Sequence, residues 1–284
     1  MIHKLDYDLY CQNTMRLHSI ANEYFEPESV NELRELIIEL KKSNKKYYIL
    51  GGGSNILMPP IIDRPVLSMK SLNCEFSIND GIVKAGASLK IQSFIRELQK
   101  EKLGGIEYLF SLPCQLGGAI YMNAGRGGIK GKSISDYVVT VNAFNPETLE
   151  CITINKENCH FSHRYSDFQK NNLIILSASF RFDYKSHDDV EIAIKERLDY
   201  SIKHLDPGKP SCGSVFNISS GYIMKLLRKL GIRIGGAMYS KKTMNWISNV
   251  DNATYSDVEK LINIGILLHK LTFQNYNVEI IKWE

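Results

Sequence analysis

The sequence predicts an α+β protein of more than one domain, and three of its features carry that expectation. Its 284 residues, 44% of them hydrophobic, exceed the about 100–200 residues of a usual single domain. Helical and strand periodicities come in separate blocks instead of alternating unit by unit. Two glycine-rich stretches, 51–55 and 111–125, interrupt those blocks. The expected division is 1–67, 68–185 and 186–284.

Ser29-Val30-Asn31-Glu32 has the form of a capping box. Leu33, Leu36, Ile37 and Leu40 follow at the spacing of one buried face, so a helix is expected over 29–43. Tyr47 to Leu50 reads as a short buried strand running into Gly51-Gly52-Gly53-Ser54-Asn55. From Val66 strands take over, and 74–78 and 82–87 flank Asn79-Asp80-Gly81 in a hairpin signature. Ser88 is placed to cap a helix carrying Leu89, Ile91, Phe94, Ile95 and Leu98, followed by an irregular stretch over 104–131. Strands resume at 137–144, 150–154 and 173–182. The last third reads as a helix over 188–204, a turn at Asp206-Pro207-Gly208 and a helix over 221–230 ended by Gly231. A final helix, capped at Ser256-Asp257-Val258-Glu259, runs to Leu271 before a closing strand over 277–283.

Thirty-five basic residues against 31 acidic ones leave a net charge of +4 with the lysines scattered, so nucleic acid is not an expected partner. Residues 1–20 mix Lys4, Asp6, Asp8 and Arg16 with apolar residues and show no secretory core. No later apolar run reaches the about 20 residues of a membrane span, and the expected location is the cytoplasm. Cys11, Cys74, Cys114, Cys151, Cys159 and Cys212 include no CxxC pair and no metal-ligand spacing to histidine, which predicts reduced thiols and no bound metal.

A glycine run after a strand invites comparison with the dinucleotide fingerprint, which needs a helix to open on the last glycine. Here Gly51 to Leu57 runs straight into Met58-Pro59-Pro60, and two prolines stop a helix within a turn. The alternatives are a tight turn, or a loop whose N–H groups form a nest for phosphate with Ser54 and Asn55 as extra donors. A second segment, Ser111-Leu112-Pro113-Cys114-Gln115-Leu116-Gly117-Gly118-Ala119 with Met122-Asn123-Ala124-Gly125, adds a further loop for the same large ligand.

With these two segments the chain resembles the UDP-N-acetylenolpyruvoylglucosamine reductase family, whose members carry LGGGSN and GIPGxxGGAxxMNAG loops. The likeness continues through Phe161-Ser162-His163-Arg164-Tyr165-Ser166-Asp167-Phe168, similar to YRxSxF, and Pro210-Ser211-Cys212-Gly213-Ser214-Val215-Phe216, similar to PSAGSVF. It extends to Gly235-Gly236-Ala237 with Ser240, and to Asn252-Ala253-Thr254. The resemblance implies an FAD-binding domain of the PCMH/vanillyl-alcohol-oxidase type in two subdomains, followed by an α+β substrate domain. It implies non-covalent FAD, held by Leu50, Gly51, Gly52, Gly53, Ser54, Asn55, Pro113, Gly117, Gly118, Ala119, Asn123 and Gly125. It also implies NADPH as co-substrate, a nucleotide-sugar substrate and no membrane partner. A monomer is expected, although the sequence leaves oligomeric state open.

By position, Arg164, Ser214 and Glu279 match the family's catalytic trio, and Lys203 and Asn217 match substrate contacts. Taken alone, Arg164 reads as a surface ion-pair residue, Ser214 as a turn serine, Glu279 as an edge-strand charge and Lys203 as one more exposed lysine. The chemistry gives the trio its sense. Hydride addition to an enolpyruvyl double bond pushes negative charge onto the carboxylate, which the fork of Arg164 and a protonated Glu279 stabilise while Ser214 protonates the neighbouring carbon. Departures from the pattern cluster in the same regions. Ser111 and Cys114 replace glycines, His163 replaces a tyrosine, Arg126 follows Asn123-Ala124-Gly125, Asn217-Ile218 replaces Lys-Asn, and Lys242-Thr243-Met244-Asn245-Trp246-Ile247 replaces KHANFI. The short link from Phe182 to Asp188 matches the subtype without a substrate-covering loop. A paralogue with another unsaturated substrate and a flavin-binding protein without turnover are the competing readings. A sugar-lactone oxidase is disfavoured because the glycine loop lacks a histidine for covalent flavin. The purified protein should be yellow and release FAD on denaturation, read from the supernatant spectrum; colourless protein that takes up no FAD refutes this reading.

Overall fold

The computed structural model describes residues 1–128 and 131–284, so residues 129–130 of the irregular stretch expected over 104–131 lie outside the described residues. The chain forms two compact units from interleaved segments. The first comprises 1–4, 24–52 and 64–199; the second comprises 5–23, 53–63 and 200–284.

In the first unit an antiparallel sheet runs in spatial order Glu150–Asn155, Val138–Asn145, Ile174–Phe180, Ile82–Gly86, Phe76–Asn79. Its outer hairpin turns at Asp80 (φ 49°) and Gly81 (φ 73°), the left-handed pair that matches strand twist. The helix Ile91–Lys100 buries Ile91, Phe94, Ile95 and Leu98 with Val83, Ala85 and Phe180 in one core. A second core lies under Val30–Lys42, whose Leu33, Leu36, Ile37 and Leu40 meet Phe25, Leu67 and Phe144. Each of those four side chains contributes about 2 kcal/mol of burial. Beside that helix Tyr48–Leu50 and Val66–Ser68 pair in parallel, and Val66 also pairs with Tyr24.

The second unit is built on the antiparallel order Ser211–Ser214, Trp246–Asn249, Ala237–Tyr239, Arg233–Ile234, with Gly221–Leu230 and Tyr255–Leu271 as its helices. A Cβ on Gly265 would stand 2.7 Å from the Tyr239 hydroxyl and 2.8 Å from the Phe216 ring, so only glycine lets the last helix approach this closely. His269, fully buried, donates from Nδ1 to the Gly265 carbonyl (2.7 Å) and accepts the Ser220 N–H at Nε2 (2.9 Å). That bond satisfies an N–H at the start of Gly221–Leu230, where the Ser220 side chain makes no cap.

Several expectations shift. Ser29 accepts the Glu32 N–H (3.2 Å), but Glu32 turns to the Glu28 N–H (2.8 Å) and the amino group of Met1 (2.7 Å), so the capping box is only half formed. Ser88 caps no helix: buried, it bonds the Met69 carbonyl and the Asn73 N–H, and the helix opens at Ile91. The last helix is capped by Thr254 with Asp257 in a full box, two residues before Ser256. A short helix, Leu116–Tyr121, occupies part of the stretch read as irregular. The closing strand is two strands, Asn277–Val278 and Ile281–Lys282, broken at Glu279 and Ile280.

Asn249, 8% exposed, donates to the carbonyls of Met15 (3.0 Å) and Arg16 (3.2 Å) and accepts the Ala253 N–H (2.9 Å). Asn249→Leu strands all three groups and should cost about 3 kcal/mol. Urea unfolding followed by tryptophan fluorescence reads this directly, since Trp246 and Trp283 both lie in the second unit; the midpoint should fall with an unchanged m-value.

Candidate active site

In the first unit, the strand Tyr48–Leu50 delivers Gly51 and Gly52 to the second glycine segment. Leu50 is fully buried, and its carbonyl accepts the Met69 N–H (2.9 Å), so it anchors the loop instead of facing a ligand. A Cβ on Gly52 would stand 3.1 Å from Cys114 Cα and 3.2 Å from both the Pro113 carbonyl oxygen and the Gln115 nitrogen. Crowding by main chain, not a left-handed φ, makes this position glycine. Among the described residues the N–H groups of Gly51 and Gly52 donate to no protein oxygen. Gly118 is open, with nothing within 4 Å of an added Cβ. Unengaged donors beside a glycine-lined approach fit a diphosphate such as that of FAD.

The other residues of the second segment have structural work. Gly117 gives its N–H to Ala87 O (2.9 Å) and has Ala87 Cβ 2.9 Å from where its own Cβ would lie. Ala119 is in the core. The Gln115 amide reaches the Ser88 carbonyl (3.2 Å). The Ser111 hydroxyl is buried without a partner among the described residues, and burial pushes the Cys114 thiol up to about 12, so it stays protonated.

Arg164 sits at the tip of a two-residue turn closed by Ser162 N–H to Tyr165 O (3.1 Å) and Tyr165 N–H to Ser162 O (3.2 Å). Its φ of 57° is a conformation that favours glycine, and a side chain there costs about 1 kcal/mol or more. Asn123, itself at φ 43°, holds the turn from its amide to Ser162 O (2.8 Å) while its Oδ1 accepts the Ser135 N–H (3.3 Å). Arg164 Nη2 donates to Gly125 O (3.0 Å). These groups line a polar cavity of about 240 Å³ with Lys132, Ser133 and His163. Burial, and then the charge of Arg164, pull the His163 imidazole below its usual range, so it is neutral at physiological pH.

In the second unit, Ser214 follows a β-bulge. Ser211 pairs with Ser248 and Ser214 with Trp246, so Cys212 and Gly213 together oppose Ile247, and Gly213 has φ 81°. The extra residue re-aims the chain at Ser214. The backbone then leaves this sheet, and Phe216–Ile218 pairs with Asn277–Val278. Glu279 N–H donates to Val215 O (2.8 Å), which fixes Glu279 beside the Ser214 strand. Asn55 holds the other side: its amide donates to Glu279 O (3.1 Å) and its carbonyl accepts the Ile281 N–H (3.0 Å). Gly53 (φ 62°) accepts the Thr14 N–H (3.1 Å), and a Cβ there would overlap Gln12 O. Ser54 follows it in the same loop. Cys212 is buried, and that burial and the nearby Glu279 push its thiol up to about 12. Lys203 is exposed near the end of His187–His204, and Asn217 accepts from Asn277 Nδ2 (2.8 Å). Sequence reading missed Gly213 as a bulge and Asn245 as a main-chain anchor; the one signal for Asn245 is a residue that tolerates positive φ.

A two-part flavoprotein is defined by these features: residues 21–149 match the FAD binding domain family, and 206–266 match the UDP-N-acetylenolpyruvoylglucosamine reductase C-terminal domain. The UDP-N-acetylenolpyruvoylglucosamine reductase of Prochlorococcus marinus is 31% identical over 88% of this chain and 86% of its own length. That of Fusobacterium nucleatum is 30% identical over 88% of each. The crystal structure of the Thermus caldophilus reductase has the same fold, with a TM-score of 0.77 and 22% identity over 100% of this chain and 98% of that one. The chain belongs to the UDP-N-acetylenolpyruvoylglucosamine reductase family. Among the described residues no helix is long and apolar enough to cross a membrane.

Gly52→Val should weaken FAD binding about tenfold or more, because the side chain forces the two glycine segments apart. The ratio of flavin to protein absorbance after gel filtration checks it; full flavin retention would show that the loop is only a turn.

Proposed function

We propose that the protein reduces UDP-N-acetylglucosamine enolpyruvate to UDP-N-acetylmuramate with NADPH, in peptidoglycan precursor synthesis. FAD, when bound, carries hydride from the nicotinamide to the enolpyruvyl group. Gly51 and Gly52 offer N–H donors and Gly118 leaves room for its diphosphate, and Pro113 and Gly125 contribute main chain around it. Arg164 meets the substrate carboxylate with its planar fork, and the strained turn is the cost of presenting it. His163, held neutral, adds a hydrogen-bonding group there without a second charge. Ser214 donates the proton to the carbon next to the new C–H bond, and Glu279 adds a hydrogen bond to the charge developing on the carboxylate. Lys203 is assigned to the nucleotide diphosphate, and Asn217 is a further substrate contact, after release from Asn277. The working division is 1–67 and 68–185 for flavin and 186–284 for substrate, in a cytoplasmic monomer.

The observation that carries this reading is the placement of Glu279 against the strand of Ser214 through the 2.8 Å bond to Val215, in a chain of this family. It is tested by half-reactions. Ser214→Ala should leave reduction of bound flavin by NADPH near normal and slow reoxidation by the enolpyruvyl nucleotide about 10²-fold to 10⁴-fold, with little change in substrate affinity. Equal slowing of both halves would assign Ser214 to the flavin site, and no slowing would remove it from catalysis.

A further inference from the structure

Ser214 is followed by a point where the chain belongs to no sheet. Ser211–Ser214 pairs with Trp246–Asn249, Phe216–Ile218 pairs with Asn277–Val278, and Val215 lies between the two pairings. One residue holds this crossing. The Asn245 carbonyl accepts the Val215 N–H (2.9 Å), its Oδ1 accepts the Phe216 N–H (3.1 Å), and its Nδ2 donates to the Phe216 carbonyl (2.7 Å). Asn245 does so at φ 65°, where asparagine is tolerated and most side chains are strained. Val215 O is taken by Glu279 N–H. Both main-chain groups of Val215 and of Phe216 are therefore engaged, three of the four by Asn245 or its backbone, which fixes the two residues that follow Ser214.

We propose that Asn245 is a positioning residue for proton donation by Ser214, acting through the two peptide groups that follow the serine. The proposal rests on the reductase reading above. Its physical basis is that a donor hydroxyl must be held to well under 1 Å, since a misplacement of about 1 Å costs about 10²-fold in rate. Only a primary amide at this position supplies both the acceptor for Phe216 N–H and the donor for Phe216 O. Aspartate keeps the acceptor and the tolerance of positive φ but sets a carboxylate against a carbonyl oxygen. Glycine keeps the φ and loses both bonds.

The test uses the FAD-loaded protein with NADPH and UDP-N-acetylglucosamine enolpyruvate. Asn245→Gly should retain FAD and reduce it with NADPH within about twofold of wild type. Its reoxidation by the nucleotide should slow about 10-fold to 100-fold with KM nearly unchanged. The solvent deuterium isotope effect on that half should exceed that of wild type, because proton transfer becomes more rate-limiting. Asn245→Asp should show the same split, and it serves should the glycine variant not fold. Wild-type reoxidation rates and isotope effects in either folded variant would overturn the proposal, as would equal slowing of both halves, which marks a general structural role. Wild-type protein whose reduced flavin is not reoxidised by the nucleotide would overturn the reductase reading and this proposal with it. Wild-type turnover beside an unaltered variant overturns this proposal alone.

Discussion

Irregular backbone can be buried only if its N–H and C=O groups find partners, and in this protein side-chain amides supply them where the candidate site residues are carried. Asn123 ties the Arg164 turn to the backbone at Ser135. Gln115 fastens the second glycine segment to Ser88. Asn245 and Asn55 hold the chain at Ser214 and at Glu279. An amide carries both a donor and an acceptor without charge, so it can replace the two bonds of a missing strand neighbour. A carboxylate has no donor, and a hydroxyl carries donor and acceptor on one oxygen, whereas the amide sets them on two separate atoms. The arrangement lets loops depart from sheet geometry and still be rigid.

The same loops accept conformational strain. Arg164, Asn123 and Asn245 all have positive φ without being glycine. For the two asparagines the cost is small, but for the arginine it is not offset by local chemistry and is sustained by the turn that closes around it. Two constraints select the glycines. Gly213 is required by conformation, Gly52 and Gly265 by what stands next to them, and Gly53 by both.

Much of the fold was legible because it rests on local rules. Hydrophobic spacing located Val30–Lys42, the Asp80-Gly81 turn located its hairpin, and Gly231 in the left-handed conformation ended its helix. The failures have a common cause. Ser88 and Ser256 carry the right side chain for a cap, but which serine meets a helix end depends on where the tertiary contacts let the helix begin. The closing strand reads as continuous because alternation survives a change of partner, and nothing local in 277–283 announces that its pairing moves from Phe216–Ile218 to Ile56–Leu57.

By itself the sequence determined the α+β class, the glycine segments, the absence of a fingerprint helix before Pro59-Pro60 and the residue types able to hold a carboxylate and move a proton. These follow from composition and short-range sterics. Only the tertiary structure decided how each of these glycine-segment residues is engaged: Gly118 has open space, Gly52 is pressed against the main chain of 113–115, and Leu50, Gly117 and Ala119 are taken up by packing and backbone bonds. It alone joined Glu279 to Val215 and placed Asn245 over the chain after Ser214. Glu279 and Asn245 are 64 and 30 positions away from Val215, which both of them bond, and no local preference encodes a hydrogen bond closed over such a separation.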